Sequence, residues 1–201
     1  MADKPTIVVA TNNPGKLKEF ALLMPNFKII SQSSLNITPE EELGETFFEN
    51  SLQKARVANN ASGMVSLGDD SGLIVPALNN LPGLRSARYA HENATDEENR
   101  QHLRKELEAL DLDQTQAYFV CVLVLVQASA DPFPLIATGL LEGSVKTTMQ
   151  GANGFGYDPM FYPKDSNLSL GEMNAEQKAL LSHRGKAIQV LKRKIEGFAS
   201  E

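Results

Sequence analysis

Apolar and polar positions along this chain follow two different periods, and the changes of period mark out its elements. "TIVVA" at 6–10 is a short unbroken apolar run, the pattern of a strand buried on both faces. The polar turn "TNNPG" follows. Leu17, Phe20, Ala21 and Met24 then recur at i, i+3, i+4 and i+7, which predicts a helix starting near Gly15 or Lys16. Residues 28–39 read as a second strand and loop. The helical period returns from about 45 to 59, with Phe48, Leu52 and Ala55 on one face. "MVSLGDDSGLIV" at 64–75 predicts strand, turn, strand, with the turn at the glycine-flanked acids. "NNLPG" is a turn and "SARYA" a short strand or loop.

A helix is predicted over 95–110. Thr95 and Glu98 have capping-box spacing, and Leu103, Leu107 and Leu110 form the apolar stripe. "QAYFVCVLVLVQ" is a long strand covered on both faces at its centre. "PFPLIATGLLEGSV" suggests a further strand or pair, "GANGFGYDPMFY" a glycine-rich aromatic loop. Two helices close the chain, one at about 175–181 and one from Ser182 onward with Ile188, Leu191 and Ile195 inward. Alternating strands and helices without repeats or a linker give an α/β class with a long mixed sheet and flanking helices, and residues 1–201 read as one domain.

Composition changes this picture little: 201 residues, 42% hydrophobic and 22% charged, suit a globular chain with a sizeable core. The net charge of −6 argues against a general duplex-binding surface, so no nucleic-acid partner is expected. No apolar run approaches the ~18 residues of a membrane span. The N-terminal run is a strand rather than a signal peptide. A cytoplasmic protein without membrane association is expected. The single cysteine, Cys121, excludes an internal disulfide or a multi-cysteine zinc site and reads as a buried core thiol.

Four segments could carry chemistry. "TNNPGK" at 11–16 follows a strand and opens a helix, where backbone N–H groups and Lys16 favour an anion, or where a plain turn would use the same residues. It is not a Walker A loop, since Leu17 replaces the Ser or Thr that should follow. "GDDSG" presents Asp69 and Asp70, which on a regular strand point to opposite faces; at a strand end they suit Mg²⁺, and otherwise they form a solvated turn. "GFGYDP" at 154–159 offers Phe155 and Tyr157 as a flat surface for a base, or core aromatics of a tight loop. "SHRGKA" at 182–187 sets His183 and Arg184 in a first helical turn, where cations oppose the helix dipole and an anion would relieve them.

Together and in this order, "TNNPGK", "FFENSLQKA", "GDDSGL", "LPGLRSARYA", "GFGYDP" and "SHRGKA" resemble the Ham1-type inosine triphosphate pyrophosphatases, bacterial members in particular, over residues 11–187. The resemblance implies an elongated mixed sheet with two lobes around a central substrate cleft, and a homodimer. It implies Mg²⁺-dependent hydrolysis of ITP, dITP and XTP to monophosphate and pyrophosphate. By motif, Thr11, Asn12, Asn13, Pro14, Gly15 and Lys16 would hold the substrate and its phosphates, with Lys54 among the neutralising cations. Asp70 would be the key acid, as metal ligand or base, and Asp69 a second candidate for orienting water. Ser71 would contact substrate, and Phe155, Gly156, Tyr157 and Asp158 would line the base pocket. Lys178, His183 and Arg184 would complete the base and phosphate contacts. Glu41, three residues before Gly44 and crowded by Glu40, Glu42 and Glu45, is the best match to a second metal-binding acid. Rival readings are a hydrolase of another nucleotide and a nucleotide sensor without turnover.

Overall fold

The computed structural model describes residues 4–198, with β1 Thr6–Val9, α1 Pro14–Leu23, β2 Lys28–Ser31, α2 Phe47–Ser62, β3 Ser66–Val75, β4 Leu81–Pro82, α3 Asp96–Glu108, β5 Gln114–Val126, β6 Leu135–Lys146, β7 Phe161–Pro163, α4 Ala175–Leu181 and α5 His183–Phe198. The strands form one mixed seven-stranded sheet in the order β2-β1-β3-β5-β6-β7, with β4 paired to β3. The chain divides into two compact units, each assembled from separated stretches of sequence.

The first unit comprises residues up to Asp70, Cys121–Gly139 and the chain from Arg184 onward. Here β1 pairs in parallel with β2 on one side and β3 on the other. The apolar run of β1 alternates between two cores: Ile7 and Val9 pack with Phe20, Met24, Leu67, Cys121, Leu123 and Leu191, whereas Val8 and Ala10 pack with Ile37 and Ala58. Cys121 is buried, as expected.

The second unit comprises Ser71–Val120 and Leu140–His183. Its core gathers Leu73, Val75, Leu103, Leu107, Phe119, Val145, Tyr157 and Phe161. α3 starts where the capping box predicts: Thr95 accepts from the Glu98 N–H, and Glu98 reaches back to the Thr95 N–H.

One expectation is corrected. Within "MVSLGDDSGLIV" a single strand, Ser66–Val75, runs unbroken through the acids, not strand, turn, strand. Gly68 does not turn the chain. A Cβ there would lie 1.9 Å from the Ser51 carbonyl oxygen, so its missing side chain lets α2 lie against β3. "SARYA", open between a short strand and a loop, lies in a 3-10 segment, Gly83–Arg88, and the bend after it. The stretch "PFPLIATGLLEGSV", open between one strand and two, holds the single strand β6.

Candidate active site

Because β3 stays regular, its neighbouring aspartates engage different partners. Asp69 takes two cations. Arg184 Nε donates to Oδ2 at 2.6 Å, and Lys16 Nζ donates to Oδ1 at 2.6 Å. The Cys121 thiol lies 3.8 Å from Oδ2. Arg184, only 1% exposed, also donates to Glu19 Oε2 at 2.5 Å, so two carboxylates surround one guanidinium. Burial alone would raise the Asp69 pKa, but Arg184 and Lys16 more than reverse it and hold the carboxyl well below the usual range. Burial also works against the charge of Arg184, and Asp69 and Glu19 outweigh it. Lys16 reaches Asp69 because Asn13, the N-cap of α1, accepts the Lys16 N–H and starts the helix there.

Asp70 faces a different set. Its Oδ1 accepts from Lys54 Nζ at 2.8 Å and its Oδ2 from Asn50 Nδ2 at 3.3 Å. Asn50 and Lys54 stand four residues apart on α2 and so share a helix face. Lys54 also meets Glu42 Oε1 at 2.7 Å, and the Asn50 amide oxygen accepts the Gly44 N–H, which ties the acidic loop to this cluster. The two ends of the Lys54–Asp70 pair respond differently. Burial lowers the Lys54 pKa, but two carboxylates outweigh it and the net shift is upward. Asp70 is raised: burial dominates and Glu42 adds to it, while Lys54 and, less strongly, Lys16 offset them only in part.

In the second unit, Asp158 and Lys178 form a buried ion pair, Nζ to Oδ2 at 2.6 Å. The same Oδ2 accepts the Phe155 N–H at 2.8 Å, and the Lys178 ammonium lies 4.3 Å from the Phe155 ring centroid. Tyr157 is buried and its hydroxyl donates to the Ser86 carbonyl at 2.9 Å. His183 stacks on Phe119, centroids 4.7 Å apart and planes 10° from parallel.

Thus Lys16, Asp69 and Arg184 meet in one cluster, Lys54 and Asp70 in another, and Phe155, Asp158 and Lys178 in a third. Thr11 is buried at the end of β1, and its hydroxyl accepts the Asn13 N–H; Asn12 and Pro14 are exposed, and Gly15 and Ser71 half-buried. Glu41 has an exposed side chain, and its backbone carbonyl accepts from Gln53 Nε2 at 2.9 Å. Sequence reasoning named Glu42 only among the acids crowding Glu41, and passed over Asn50 and Glu19. Helical spacing pointed to the last two, since Asn50 is four residues from Lys54 and Glu19 three from Lys16. Among the described residues no three His, Cys, Asp or Glu side chains group to hold a metal by themselves.

The structure thus sets two neighbouring acids on one strand of a mixed sheet, each paired with its own lysine. The sequence profile of the Ham1 family matches residues 7–194, and the chain belongs to that family. It is similar to a dITP/XTP pyrophosphatase from Legionella pneumophila (strain Lens), 45% identical over 186 residues, which cover 92% of this chain and 96% of that one. The enzyme of the same name from Haemophilus influenzae is 45% identical over 194 residues, covering 96% of this chain and 100% of that one. A Ham1 protein structure from Coxiella burnetii superposes with a TM-score of 0.87 at 40% identity, over 96% of this chain and 99% of the other. By class the chain is an enzyme, a pyrophosphatase.

Proposed function

We propose that this enzyme hydrolyses ITP, dITP and XTP to the monophosphate and pyrophosphate in a Mg²⁺-dependent reaction, removing non-canonical purines from the nucleotide pool. The names of the relatives support the substrate class. The observation that supports the chemistry is the difference between the two acids on β3: Asp69 is locked between Lys16 and Arg184, whereas Asp70 pairs with Lys54 alone, an ammonium that Glu42 shares.

The residues fit a divalent metal. Asp70 and Glu42 converge on one ammonium, that of Lys54. Mg²⁺ is commonly held by one or two carboxylates with substrate phosphates as further oxygen donors, which suits a site lacking three protein acids. Glu42 is therefore the second metal-holding acid in this reading, in place of the exposed Glu41. When bound, the metal would supply charge neutralisation along the triphosphate.

Asp70 accepts the proton of the attacking water. The water oxygen bonds to the α-phosphorus, the bond from that phosphorus to the α–β bridging oxygen breaks, and pyrophosphate leaves. Lys16 and Lys54 neutralise developing charge on the phosphate oxygens. Asp69, too strongly held to accept a proton, orients Lys16. In the second unit, Lys178 held by Asp158, or a backbone N–H, presents a donor to position six of the base. Hypoxanthine and xanthine carry a carbonyl there. Adenine carries an amino group, and a donor left facing a donor costs roughly 1–3 kcal/mol. The same reading makes the enzyme a cytoplasmic homodimer.

Asp70→Asn tests the assignment. The melting temperature should change little, and kcat for ITP should fall by about 100-fold or more, the lower range for loss of a general base. A folded variant with near-normal kcat would remove Asp70 from the chemistry.

A further inference from the structure

The loop that presents Phe155 is gripped by two charged side chains from outside it. Asp96, at the start of α3, accepts the Gly156 N–H at 2.7 Å. Arg100, one turn later, donates through Nη1 to the Gly156 carbonyl at 2.6 Å. Both polar groups of one residue are thus held by neighbouring turns of one helix face. Gly156 has a φ of +59°, with no atom within 4 Å of where a Cβ would stand, so its neighbours do not wedge it into place. A left-handed glycine in open space has wide conformational freedom, and the two charge-assisted bonds restrict it. Glu97 accepts from Nη2 of the same guanidinium at 2.8 Å and fixes its plane.

We propose that Asp96 and Arg100 are positioning residues that set the base-reading loop, so that the start of α3 tunes affinity and base preference without touching the reacting atoms. The Gly156 N–H belongs to the peptide that joins it to Phe155, and the Gly156 carbonyl to the peptide that leads to Tyr157. Holding both fixes the backbone on either side of the residue, and with it the direction of the Phe155 ring over which Lys178 lies. Other anchors hold the loop on either side of Gly156: Asp158 accepts the Phe155 N–H inside it, the Tyr157 hydroxyl donates to the Ser86 carbonyl, and the Asn153 N–H donates to the Gly171 carbonyl. Losing the α3 clamp therefore loosens the loop at Gly156 while the Asp158–Lys178 pair remains. The inference rests on the reading that this loop meets the base.

The test compares Arg100→Ala, Asp96→Ala and Arg100→Lys with the parent enzyme by steady-state kinetics on ITP and ATP, and by hydrogen–deuterium exchange of the loop. Each alanine variant removes one of the two bonds, so either can report if the other fails to fold. For the alanine variants, KM for ITP should rise roughly tenfold, the scale of one charge-assisted hydrogen bond, with kcat held within about twofold and the preference over ATP reduced. The Gly156 amide should exchange faster. Arg100→Lys, which can still donate to the carbonyl, should recover part of the KM. Folded alanine variants with parental KM and parental exchange would overturn the proposal. Should the parent release no pyrophosphate from ITP, the functional reading fails, and exchange at Gly156 still decides whether the clamp exists.

Discussion

Asp69 and Asp70 differ in what surrounds them, and on the function proposed above that difference makes one an anchor and the other the reactive acid. The native pKa of Asp69 is depressed, so its ionised form stabilises the fold at any pH above the ordinary value of 3.8, and that contribution is lost as pH falls below it. Asp69→Asn leaves Arg184 with a buried charge only partly met by Glu19, and the expected loss is about 3–5 kcal/mol near neutral pH. Denaturant unfolding from pH 7 down to about 3 should show a constant gap between the two proteins until about pH 4, narrowing below it. A gap unchanged across the whole range would mean that Asp69 is not a charged anchor. At this scale the sequence pointed to both acids as a glycine-flanked pair between apolar runs, but not to their separate partners, because Lys16, Lys54 and Arg184 come from distant segments. Glu42 could not be told from Glu41 for a related reason: a loop has no period to say which of four crowded acids turns inward.

Helices and strands were read from their periods with small shifts at the ends. α3 follows its capping box, and β5 its long apolar run. β3 was misread because glycine has two uses, in turns and where backbones approach closely, and only the packing of α2 says which one Gly68 serves. That packing is testable. Gly68→Ala would push a methyl group into backbone, which a rotamer change cannot relieve, so a cost of about 3 kcal/mol is expected, at the upper end for overpacking. The urea midpoint should fall with the slope unchanged. A neutral outcome would mean that α2 does not lie against β3 as described. Since α2 carries Asn50 and Lys54, the same change should also lower activity beyond what stability explains.

Across the whole molecule, each unit is built from stretches far apart in sequence, which is why no linker was visible and the chain read as one domain. Pattern and composition supplied the α/β class; the ordered set of short motifs supplied the family. The acid–lysine clusters lie in the first unit and the GFGYDP–Lys178 cluster in the second, so on the proposed function chemistry and base recognition fall to different parts of the chain. Substrate choice and turnover should therefore respond to different substitutions, as Asp70→Asn and Arg100→Ala are expected to show. The most direct test is steady-state pyrophosphate release from ITP, dITP, XTP, GTP and ATP, with and without Mg²⁺. The account predicts kcat/KM for ITP, dITP and XTP at least about 100-fold above ATP and GTP, and loss of turnover when the metal is removed. Equal turnover of all five nucleotides, or undiminished activity without a divalent metal, would contradict it.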